Sequence, residues 1–145
     1  MAQGPLAVVI AIDSNILVRV AVADNTAQTQ RVGKLFAENN IWISKTVLLE
    51  AEWVLRGTYR LTAPAILHAL RTVTAFTNVH VEDPVAVDAA LALFAGGLEF
   101  ADAMHLASGL RQSPISGKHL RTVGIRSRTF QDRPESSARP CSEAY

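Results

Sequence analysis

Three carboxylates stand inside or beside otherwise apolar segments. Asp13 closes LAVVIAID, Glu50 lies within TVLLEAEWVL, and Asp102 lies within EFADAMHLA. An ionised carboxylate among core side chains costs on the order of several kcal/mol unless it meets a cation, hydrogen bonds or water. These segments hold too few basic residues to pair all three. The single cysteine, Cys141, excludes a thiolate cluster, so any metal must be held by oxygen or imidazole. Carboxylate oxygens suit a hard cation such as Mg²⁺ or Mn²⁺, which keeps several waters and takes phosphate oxygens as further ligands. The chemistry implied is metal-assisted reaction at a phosphoester.

Neighbouring residues compete for parts in such a site. Glu50 and Glu52 are two residues apart, which on a helix separates them by about 200°, so the two do not face one ion together. Glu99 lies one turn before Asp102 and could share the site through water, although a solvated acid in a first helical turn is the plainer reading. His105, one turn after Asp102 among Met104, Leu106 and Ala107, reads as a packed histidine and not as a ligand. Asp13 has its own plain alternative, a helix N-cap.

The elements that must position these residues alternate between strand and helix. Leu6 to Ile12 reads as a strand buried on both faces of a parallel sheet, with Ser14 or Asn15 opening a helix behind it. A helix follows from Thr26 to about Glu38, then a short strand Ile41 to Ile43 and a helix from Ser44 to Arg56, stopped by Gly57. Ala63 to Phe76 reads as helix and Val79 to Val81 as strand. Asp83-Pro84 caps an alanine-rich helix that stops at Gly96-Gly97, and Phe100 to about Leu110 is the last helix. This order predicts an α/β domain with a mainly parallel central sheet between helical layers. In such sheets the working site lies at the carboxyl ends of the strands, where Asp13 falls.

Composition narrows the class. The chain of 145 residues is 49% hydrophobic, enough for one domain with a core of its own. No apolar run reaches membrane-spanning length and the opening segment lacks the pattern of a secretory signal, so a cytoplasmic protein is expected. A formal net charge of +1 does not announce a nucleic-acid binder, but basic residues cluster from Arg111 to Arg139.

Three segments carry a resemblance. AIDSNILVR resembles the first motif of PIN-domain nucleases, ISKTVLLEAEWVLR the second and GLEFADAMHLA the third, in the form found in VapC toxins of bacterial toxin–antitoxin pairs. The resemblance implies a three-layer α/β/α PIN-like nuclease domain over residues 1–110 and an Mg²⁺- or Mn²⁺-dependent endoribonuclease. It places the metal-binding and catalytic acids on Asp13, Glu50 and Asp102, with Asn15 as a polar neighbour that helps order the site; Glu99, one turn before Asp102, is a second-sphere candidate by its spacing alone. The spacing from Ile43-Ser44 resembles the family pattern best with Glu50, leaving Glu52 as a surface or packing acid. The three carboxylates are expected to converge at the carboxyl edge of the sheet. A cognate antitoxin, a homodimer and an RNA substrate, tRNA or rRNA, are implied as partners.

Residues 111–145 depart from that pattern and read as an atypical basic tail, disordered or out of frame. Relatives continue into another strand ending in a Thr-Phe-Asp-like motif whose Asp is a fourth acid; here Val123 to Ile125 is the one strand-like stretch and Asp132 the one aspartate. Ile125-Arg126-Ser127 can be encoded so that a shift of one base begins Phe-Asp-Arg. On that reading the terminal strand is missing and activity suffers. A catalytically inactive remnant that only dimerises or binds antitoxin is the second expectation. A phospho-acceptor role for Asp13 is a third, which leaves Glu50 and Asp102 unexplained.

Overall fold

Where the first apolar run meets Asp13, the backbone turns from strand to helix. Strand β1 (Val9–Ala11) leads to Asp13, whose extended backbone (φ −90°, ψ 173°) lets its Oδ1 accept the Ile16 amide at 2.9 Å and cap helix α1 (Ser14–Val22). The computed structural model describes residues 8–23 and 27–112. Helix α2 (Ala27–Glu38) leads into β2 (Asn40–Ile43), and Ser44 caps α3 (Lys45–Gly57) by accepting the Val47 amide at 3.2 Å. Helix α4 (Ala63–Thr74) carries Pro64 in its first turn, where a missing N–H costs no hydrogen bond. After β3 (Val79–Val81), the carboxylate of Asp83 caps α5 (Pro84–Ala95), and α6 (Phe100–Gln112) follows the Gly96-Gly97 turn.

The three strands are parallel in the order β1-β2-β3, with Ile10 beside Ile41 and Ile41 beside Val79. Because side chains alternate across a strand, this register sorts the sheet into two faces. Ile12, Ile41, Ile43 and Val79 are buried and Ile10 and Val81 partly so, making one face the floor of the core. The other face carries Val9, Ala11, Trp42 and His80, all exposed. The core is completed by Leu17, Leu48, Leu55, Ile66, Leu70 and Phe100, with Phe94 and Phe100 in edge contact at 5.5 Å between ring centroids.

The α/β class and the parallel sheet are as the sequence led us to expect, and element boundaries agree to within two or three residues. The first strand is a correction. It is not buried on both faces: Val9 is 57% exposed, because among the described residues the sheet face that it shares with Ala11, Trp42 and His80 is open along all three strands. A continuous apolar run cannot reveal whether both faces of its sheet are covered. Val123 to Ile125, Asp132 and the tail from 113 onward lie outside the described residues. Among the described residues no helix is long and apolar enough to cross a membrane.

Candidate active site

The carboxyl edge of the sheet gathers Asp13 after β1, Ser44 after β2 and Glu82-Asp83 after β3. Asp13 is exposed there, its carboxylate fixed by the cap it forms on α1. Beside it in the sheet order, the Lys45 amide donates to Glu82 Oε2 at 2.9 Å. The Lys45 ammonium donates to Ser108 Oγ at 3.2 Å and lies 3.8 Å from Asp83 Oδ2. Arg111 Nε is 2.9 Å from Asp83 Oδ1. Asp83 thus meets two cations while holding a left-handed backbone (φ 50°), a conformation an aspartate adopts more readily than most residues. This polar cluster was not legible beforehand: Asp83 announced itself only as a cap, and nothing local paired Lys45 with α6.

These contacts orient α6 against α3. Lys45, at the start of α3, meets Ser108 near the end of α6, whereas Arg56, near the end of α3, meets Glu99 just ahead of α6. The two helices therefore run antiparallel. Arg56 lies about 16 Å along α3 from Lys45 at 1.5 Å per residue, and Asp102 sits one turn into α6 from the Glu99 end. Asp102 thus belongs to the end of α6 that Arg56 meets through Glu99.

The α3 acids face opposite ways. Thr46, Glu50, Trp53 and Gly57 form an exposed stripe at helical spacing, so Glu50 is open to solvent. Glu52 is only 3% exposed and is packed with Arg56, whose Nε and Nη2 lie 3.2 and 3.4 Å from its carboxylate oxygens. Of the two roles foreseen for Glu52, packing acid is the one it has. Glu99 departs from the reading as a solvated first-turn acid, because Arg56 Nη1 donates to its Oε1 at 3.1 Å. His105 is exposed and not packed, since it falls on the outer side of α6. Asn15 is exposed in the first turn of α1.

Asp13, Glu50 and Asp102 do not form a cluster of three. Among the described residues no three His, Cys, Asp or Glu side chains form a group that could hold a metal ion, and the expected convergence is absent. As a donor set, carboxylates with an amide nearby suit a hard divalent cation; as an arrangement, they do not close around one. The apolar cleft of about 410 Å³ over α1 and α4, lined by residues including Val20, Leu61, His68, Thr72 and Phe76, contains none of them.

Comparison with known proteins follows the same lines. The chain matches the model of the PIN domain family over residues 10–113. It is similar to the crystal structure of Mycobacterium tuberculosis VapC20, a sarcin–ricin loop cleaving toxin. That similarity is at 20% identity with a TM-score of 0.40, covering 72% of this chain and 82% of that one. No curated protein matches the chain.

Proposed function

Because the chain belongs to the PIN-domain family, whose fold is a three-layer α/β/α domain, we propose that it is a metal-dependent endoribonuclease of the VapC type, the toxin half of a toxin–antitoxin pair. The observation that carries this reading is that the family match spans Asp13, Glu50 and Asp102, each in a motif of the expected kind. On this reading Asp13, Glu50 and Asp102 hold Mg²⁺ or Mn²⁺, with Asn15 as an ordering neighbour. A divalent cation, if held by these acids, would supply Lewis-acid activation and charge neutralisation at the scissile phosphate. Asp13 contributes a carboxylate already held in place by the α1 cap. Glu52 and Glu99 are engaged by Arg56, which favours Glu50 and Asp102 as the acids left to a cation. A cytoplasmic homodimer held in check by an antitoxin, acting on tRNA or rRNA, completes the proposal.

The test is to incubate the purified chain with tRNA and rRNA under Mg²⁺ or Mn²⁺, with and without chelator, beside Asp13→Asn. Cleavage that needs the cation and disappears in the variant supports the reading; cleavage that survives both rejects it. The absence of a three-ligand group among the described residues favours a second reading, an inactive PIN domain that only dimerises or binds antitoxin. That reading predicts antitoxin binding without RNA cleavage under any cation.

A further inference from the structure

We propose that Arg56 is a positioning residue, whose guanidinium holds Glu52 of α3 and Glu99 ahead of α6 at once and so sets where Asp102 lies along α3. The inference rests on the reading of Asp102 as a site acid. The geometry is that of a fork. Nε and Nη2 address the two oxygens of Glu52 at 3.2 and 3.4 Å, and Nη1 donates to Glu99 Oε1 at 3.1 Å. The Nε contact is an ion pair without hydrogen-bond alignment. The side chains of Arg56 and Glu99 are 14% and 18% exposed, so the trio is weakly screened by water. A planar guanidinium reaches two carboxylates in fixed directions, and an ammonium does not.

Glu99 is the residue through which this grip reaches the helix. Its carbonyl accepts the Ala103 amide at 2.9 Å in the first turn of α6, and Asp102 belongs to that turn. The chain leading into it is the Gly96-Gly97 turn, where Gly97 adopts φ 101° and the Gly97 and Leu98 amides donate to the Phe94 and Leu93 carbonyls at 3.0 and 3.1 Å. The apolar side of α6, through Phe100 and Ala103, fastens it to the core. Burial of that kind is non-directional, so register along α3 is set by polar contacts at its two ends, Lys45 with Ser108 at one and the Arg56 fork at the other, and Asp102 belongs to the end of α6 that the fork holds. Glu52 and Glu99 are thereby assigned to the clamp and not to the cation.

The experiment uses the full chain with Cys141→Ser, spin-labelled at Trp53→Cys on α3 and His105→Cys on α6, both exposed positions. The distance distribution between the labels is compared for Arg56, Arg56→Lys and Glu99→Gln. In parallel, unlabelled Arg56→Lys is assayed for the Mn²⁺ concentration giving half-maximal RNA cleavage. A shifted or broadened distribution in Arg56→Lys is expected, with a smaller change in Glu99→Gln, which keeps an acceptor and drops the charge. The Mn²⁺ requirement should rise ~10-fold with KM for RNA unchanged, the size typical when a group that orients metal ligands is altered. Identical distance distributions in both variants would overturn the proposal, as would an unchanged Mn²⁺ requirement in Arg56→Lys. If the parent chain cleaves no RNA, the ribonuclease reading fails, and the distance measurement still decides whether Arg56 positions α6.

Discussion

The ammonium of Lys45 lies 3.2 Å from the hydroxyl of Ser108, so the first residue of α3 meets the last turns of α6. With Asp83 also 3.8 Å from Lys45, one side chain ties β3's end, α3 and α6 together at the sheet edge. Lys45→Met should lower unfolding free energy by ~1 kcal/mol, the usual net worth of a partly buried polar contact. Urea unfolding monitored by circular dichroism measures it, and a loss smaller than the error would mean that Arg111 alone satisfies Asp83.

Asp13 carries two roles that substitution can separate. Asp13→Asn keeps a side-chain oxygen for the Ile16 amide and should change stability by less than ~0.5 kcal/mol, whereas Asp13→Ala should cost ~1 kcal/mol by removing the cap. RNA cleavage should vanish in both. Thermal melts set beside cleavage assays give the comparison; activity in Asp13→Asn would leave Asp13 as a cap alone.

Phe100 is fully buried and packs edge-on against Phe94 at the α5–α6 contact. Phe100→Ala should therefore cost ~3–5 kcal/mol through lost burial and a cavity. At the exposed face of α3, by contrast, Trp53 is 64% exposed and Trp53→Ala should stay within ~0.5 kcal/mol. Comparable losses in the two variants would show that Trp53 is covered in solution, and sedimentation would then reveal whether a second copy covers it.

Gly97 adopts φ 101° with open space where a Cβ would stand, so only its backbone conformation constrains the residue. Gly97→Ala should destabilise by ~1 kcal/mol through that conformation and not through a clash. A thermal melt unchanged from the parent would mean that the turn relaxes at no cost.

Helices and strands were legible because their signals are local. Ser44 and Asp83 announced caps, Pro64 and Pro84 marked first turns, and Gly96-Gly97 marked a stop, each through chemistry within four residues of itself. What escaped depends on partners far along the chain. The partnership of Arg56 with Glu99 spans 43 residues, and that of Lys45 with Ser108 spans 63. Helical periodicity separated Glu50 from Glu52 correctly, but which of the two faces turned inward was set by the α3–α6 contact. The antiparallel course of α6 against α3 had no counterpart in any motif.

Strand order in this sheet is also the order of synthesis. Among the described residues β2 adds beside β1 and β3 beside β2, so β2 and β3 each find a neighbour already made on leaving the ribosome. Such a sheet can grow in one direction as the chain emerges, with loop closure limited to one strand–helix unit at a time. Among the described residues no strand lies on the side of β1 away from β2, and Val8 and Val9 beside it are exposed. That margin is where nascent chains translated side by side would first adhere to one another.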